Sequence, residues 1–90
     1  MSESNKLIEG VFEPDEAAEL LIALINNKLQ FHTLKAFSTE ERDGTVCEQS
    51  RRRIESLNKT KEHVLGLIAE ASKRNGKVTI DSTLDIRING

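Results

Sequence analysis

The chain has 90 residues, 31% of them charged, and a formal net charge of −2. That length holds one domain, and the near-neutral balance lacks the overall drive toward nucleic acid or anionic membrane that a basic chain has. With three Phe and neither Tyr nor Trp, any core rests on Leu, Ile, Val and Ala. A chain this size buries only about 60–65% of its unfolded surface, so association is a common remedy.

Residues 1–6 are polar and are expected to be disordered. Residues 7–12 form a short mixed lead-in with extended character. Glu13, Pro14, Asp15 and Glu16 then mark a helix start. Proline suits the first helical position, where its missing N–H costs nothing. The two following carboxylates favour the positive end of the helix dipole, and Phe12 is placed to staple onto Ala17. Ala17, Leu20, Leu24, Phe31 and Leu34 follow at steps of three, four and seven, with Asn27 the one polar interruption. Leu21, Ile25 and His32 lie beside that stripe, and Ile22 and Leu29 widen it. The spacing predicts a helix over about 14–43. Ser38 and Glu41 have capping-box spacing, so a break or a short last turn is expected near there. Gly44 ends the segment.

Thr45 and Glu48 repeat the capping-box spacing, with Ser50 a rival cap. A second helix is expected over about 46–74. Its stripe is Ile54, Leu57, Lys61, Val64, Ile68 and Ala71, a heptad seam with one polar knob at Lys61. Leu65 and Leu67 flank it. Lys73, Arg74, Asn75 and Gly76 close the helix, with cations at the negative dipole end and Gly76 expected to take the positive φ. Beyond Gly76 the period changes to two. Val78, Ile80, Leu84, Ile86 and Ile88 fall on even positions with Ser82 among them, which predicts a strand over about 77–88.

A connection of a few residues makes the two helices antiparallel. Folding about Gly44 pairs Leu34 with Leu57, Phe31 with Lys61, Leu24 with Leu67 and Ile68, and Leu20 with Ala71. Gly66 would let the helices approach closely. The strand tail needs a mate, either residues 7–12 of the same chain or the tail of another.

Candidate chemistry is sparse. Cys47 is a single thiol with no base at a defined spacing, which excludes an internal disulfide and leans toward a reducing compartment. His32 and His63 could begin a metal site, but no third ligand is set by spacing. Arg51, Arg52 and Arg53, with Lys59 and Lys61, could meet phosphates. They balance an acidic first helix, and no interleaved aromatic supports stacking on single strands. Asp81 and Asp85 fit the wet face of a strand. No Gly-rich phosphate loop occurs. The longest apolar run, 20–25, is far too short for a bilayer, and the first residues lack a signal-peptide core.

The stretch INNKLQFHTLKAFSTEER, followed by SRRRIESLNKTKEH, resembles a group of small bacterial helical-hairpin proteins of unknown function. Ile25, Asn26, Lys28, Phe31, His32, Leu34, Phe37, Ser38, Glu41, Arg42, Arg53, Ile54 and Leu57 carry the likeness, over residues 11–65. It implies a bacterial, cytoplasmic origin and assigns no functional residue.

The expected fold is mainly α: one domain over 1–90, with 1–6 disordered, a long antiparallel hairpin together with its lead-in over 7–76, and a strand tail over 77–90, forming a homodimeric helical bundle. The expected function is a non-enzymatic interaction or assembly module without cofactor or metal. Its expected partner is a second copy, as dimer or tetramer, or another protein; nucleic acid and membrane are not favoured. The expected contact residues are Leu20, Leu24, Phe31, Leu34, Leu57, Val64, Ile68, Val78, Ile80, Leu84 and Ile86. The alternative is a small DNA-linked, antitoxin-like regulator, disfavoured because the clear strand follows the helices and is not basic.

Overall fold

Four elements make up the computed structural model, which describes residues 2–44 and 48–90. In chain order they are β1 (Ser2–Phe12), α1 (Pro14–Asp43), α2 (Glu48–Lys73) and β2 (Val78–Arg87). The fold is mainly α, with a strand at either end.

The start of α1 is fastened by backbone and carboxylate together. The Glu13 carbonyl accepts from the Ala17 N–H at 2.9 Å, while the Glu13 N–H donates to Glu16 Oε1 at 3.0 Å. Glu16 thus supplies the back-reaching half of a capping box. The helix then runs unbroken to Asp43. The expected break near Ser38 does not occur, because nothing in that stretch removes an intrahelical N–H or favours another backbone geometry. Gly44 follows with φ 69°. The cap expected at Thr45 lies outside the described residues. Ser50 is not a cap: it sits inside α2 and is 2% exposed.

At the other end α2 closes in a Schellman motif. The Gly76 N–H donates to the Ala71 carbonyl at 2.8 Å and the Asn75 N–H to Ser72 at 3.2 Å. Asn75, with φ 54°, takes the left-handed position expected of Gly76. Asparagine tolerates this region better than other side-chain-bearing residues.

The two termini pair as an antiparallel ribbon, from Phe12 opposite Val78 to Ser2 opposite Arg87. Residues 2–6, expected to be disordered, therefore belong to β1. Their polarity misled because a two-stranded ribbon overhanging the helices can be wet on both faces. The tail's mate is the lead-in of its own chain. Leu7 is the extra residue of a bulge between Lys6 and Ile8, and it changes which β1 side chains share a face. Cross-strand partners point the same way, so Phe12, Gly10 and Ile8 share a face with Val78, Ile80 and Ser82. Beyond the bulge, Asn5 and Glu3 take over that face opposite Leu84 and Ile86. The opposite face is polar: Lys6 pairs with Asp81 at 2.6 Å and the Ser4 hydroxyl donates to Asp85 at 2.7 Å.

The small core forms where the ribbon meets the open end of the hairpin. Ile8, Ala17, Ile68 and Ile80 are buried there, with Phe12, Ala18, Leu20, Leu21, Val64 and Val78 packed against them. The Lys77 ammonium bridges to Glu13 at 2.7 Å and ties the root of β2 to the start of α1.

The buried side of α2 is Ser50, Ile54, Leu57, Lys61, Val64, Ile68 and Ala71, a seven-residue repeat of threes and fours. On α1 the half-buried residues of the hairpin are Leu21, Ile22, Ile25, Leu29, His32 and Ala36. This differs from the expected seam, in which Leu24, Phe31 and Leu34 met α2. That stripe lies roughly 100° around α1, one residue's rotation from Ile25 and His32. Lys61 also sits about a turn from its expected place beside Phe31, donating instead to Asn26 Oδ1 at 2.9 Å. Gly66 does not mediate close approach, since a Cβ added there would meet nothing within 4 Å.

The overall shape is open. The radius of gyration is 16.3 Å, against about 12 Å for a compact chain of this length. The extents are 51 × 33 × 15 Å. α1 alone accounts for about 45 Å of the longest. A ten-residue strand spans about 33 Å, which matches the second extent.

Two substitutions test these backbone assignments. Gly66→Ala should stabilise the chain by about 0.5–1 kcal/mol, since helix propensity improves and nothing is displaced; thermal melting should move up by a few degrees. Asn75→Gly should keep or raise the melting temperature, whereas Asn75→Ala should lower stability by about 1 kcal/mol through left-handed strain.

Candidate interaction surface

α1 carries two apolar faces because its nonpolar residues occupy neighbouring helical rows. One row meets α2. The other is the stripe Ala17, Leu20, Leu24, Phe31 and Leu34. The ribbon covers its first two members, burying Ala17 completely and Leu20 partly. Cover falls away along the remainder: Leu24 is 38% exposed, and Phe31 and Leu34 are each 60% exposed. An open groove lined by Phe12, Glu16, Glu19, Leu20 and Ala23 marks the line where ribbon cover ends. Phe37, 63% exposed, lies near the far end of the same helix.

The ribbon repeats this gradient. On its helix-facing side Val78 is half-buried and Ile80 buried, while Leu84 and Ile86 are 44% and 48% exposed. The expected contact residues therefore divide. Leu20, Leu57, Val64, Ile68, Val78 and Ile80 are engaged inside the chain. Leu24, Phe31, Leu34, Leu84 and Ile86 are not. Glu3 and Asn5 join the second group through the bulge register, which no periodicity in 1–6 announces. Leu65, Leu67 and Val11 are further exposed apolar side chains, spread over other faces.

Among the described residues the polar candidates do not assemble into a chemical site. Among the described residues no group of three metal-ligating side chains occurs. The charges acting on His32 come from Lys28, Arg53 and Lys35; His63 lies ten residues beyond Arg53 on α2, about 15 Å along the helix. Arg51, Arg52 and Arg53 are exposed on the first turns of α2. Cys47 lies outside the described residues. No helix among the described residues is long and apolar enough to cross a membrane.

His32 has a particular setting. Its ring packs edge-on against Phe31, with centroids 5.2 Å apart and planes at 80°. Both ring nitrogens are shielded from solvent without a hydrogen-bond partner among the described residues. That shielding, then the cations Lys28, Arg53 and Lys35, hold its pKa below the ordinary 6.5. No family model, curated protein or solved structure matches this chain, so the resemblance to small bacterial hairpin proteins rests on the residues quoted for it.

The depressed His32 pKa has a definite consequence. The unfolded chain binds the proton more readily, so stability rises with pH through the window below 6.5 and is lost on acidification. The melting temperature should fall between pH 7.5 and pH 5.5, and fall less in His32→Gln. An equal fall in both proteins would remove His32 from the acid response.

Proposed function

We propose that this protein is a non-enzymatic assembly module whose first partner is a second copy of itself. The observation that carries this reading is the bare half of the α1 stripe, Leu24, Phe31 and Leu34. Seven-residue spacing with an Asn inside the seam is the pattern by which helices select a partner and a register. Asn27 fills that position, and the row beyond it, Phe31 and Leu34, is largely exposed.

Surface area supports the same reading. The chain exposes 7095 Å², whereas a compact protein of 10.1 kDa exposes about 5,300 Å². The difference, about 1,800 Å², exceeds twice the ~800 Å² that each partner buries in a standard interface. Exposed apolar side chains on that surface, Phe31 and Leu34 at 60% each, are the kind of feature that marks an interaction site.

Light scattering coupled to size exclusion tests the proposal directly. At micromolar concentration the chain should have twice its monomer mass or more, and Phe31→Asp should reduce it to monomer. Because Phe31 is largely exposed within one chain, Phe31→Asp should retain the far-ultraviolet circular dichroism of the fold. A monomeric parent at every concentration would defeat the proposal.

A further inference from the structure

Two surfaces that already fit each other both continue past their contact with exposed apolar side chains. Near the open end of the hairpin, the ribbon face formed by Phe12, Ile8, Val78 and Ile80 packs on the first turns of α1 around Ala17 and Leu20. Past that contact the ribbon face goes on as Leu84 and Ile86, and the α1 stripe goes on as Leu24, Phe31 and Leu34. Within one chain these continuations do not cover each other: Phe31 and Leu34 are each 60% exposed, Leu84 44% and Ile86 48%. Both carry exposed apolar side chains, with Asn5 and Glu3 standing beside Leu84 and Ile86 on the ribbon.

Charge adds a second point of fit. The bulge at Leu7 places Glu3 opposite Ile86, on the overhanging apolar face. Lys28 and Lys35 lie beside the bare α1 row, each four residues beyond Leu24 and Phe31 respectively, where helical neighbours stand side by side. No ion pair involving Glu3, Lys28 or Lys35 occurs among the described residues. Within the chain, the packed half of the same contact already carries its own acid–base clasp, Lys77 with Glu13.

We propose that the occupant of each bare surface is the other surface of a second copy: the overhanging ribbon of one chain lies on the distal α1 row of its partner, and the reverse, about a two-fold axis. This rests on the self-assembly reading above and specifies its geometry. A two-fold makes both contacts at once with one complementary pair. Each ribbon then bridges two chains, its root on its own α1 and its tip on its partner's. Paired α1 rows, tip-to-tip ribbons and an unrelated protein on the stripe are the competing occupants.

Cross-linking between two differently tagged chains separates them, in a Cys47→Ser background so that the introduced thiol is single. One chain carries Glu3→Cys and the other Lys28→Cys, and a short bismaleimide is added after mixing. The expected main product is the Glu3→Cys/Lys28→Cys heterodimer. Predominant linking of either chain to its own kind, in a parent that light scattering shows to be dimeric, would overturn the ribbon-on-row geometry while leaving self-assembly standing. A monomeric parent would overturn both.

Charge reversal gives an independent readout on exposed residues that do not enter the core. Glu3→Lys should weaken the dimer about tenfold in Kd, and Lys28→Glu with Lys35→Glu in the same chain should restore it. Restoration by the reversed pair supports the contact. Weakening without restoration, or no change with Glu3→Lys, counts against it.

Discussion

Two helices joined as a hairpin touch along one line and enclose nothing. Each presents a single row to the other, and everything off that row must be covered by another element or left in water. This constraint shapes the molecule. On α2 it causes less difficulty, because most of the large apolar residues keep to one seven-residue row and, Leu65 and Leu67 apart, the remaining faces are mostly polar. On α1 it cannot be met by the partner helix, because the helix has two apolar rows. The ribbon solves the problem for the first turns of α1 and leaves it unsolved for the rest.

The ribbon can do this because its root is closely tied to the hairpin. Glu13 belongs to three interactions at once. Its carbonyl opens the helix, its N–H is held by Glu16, and its carboxylate receives Lys77. At the other helix end, the Schellman turn at Asn75 and Gly76 sends the chain back beside β1. The strands therefore leave from adjacent points, and antiparallel pairing follows with little loop to order. The core at this junction is small, and its members come from all four elements. Loss of the ribbon would expose Ala17 and Ile68 together.

The ribbon runs further than its contact with the helices requires. A strand pair that ended at the helix edge would need no Glu3, Asn5, Leu84 or Ile86. Instead the pairing continues to Ser2 and Arg87, well clear of the hairpin, with a bulge that turns the face of β1 at Lys6. Bulges re-aim side chains, and here the effect is to set a carboxylate beside two exposed aliphatic residues.

Much of the local structure follows from residues met in order. Pro14 with its trailing carboxylates starts α1, the heptad row from Ile54 to Ala71 defines the buried side of α2, and the change of period after Gly76 announces β2. These are short-range matters, decided by backbone geometry, capping and the 3.6- or two-residue repeat, so the sequence by itself determined them. Which row of α1 would face α2 was not among them. Leu24–Phe31–Leu34 and Leu21–Ile25–His32 are both plausible helical rows one residue apart, and only the packing of three elements at the open end chose between them. The pairing of residues 2–6 was likewise tertiary: polar residues carry no strand signal of their own and are ordered by the backbone hydrogen bonds that β2 offers. The bulge at Leu7, and with it the place of Glu3 beside Ile86, came from that pairing alone, because register is a property of two strands and is written in neither.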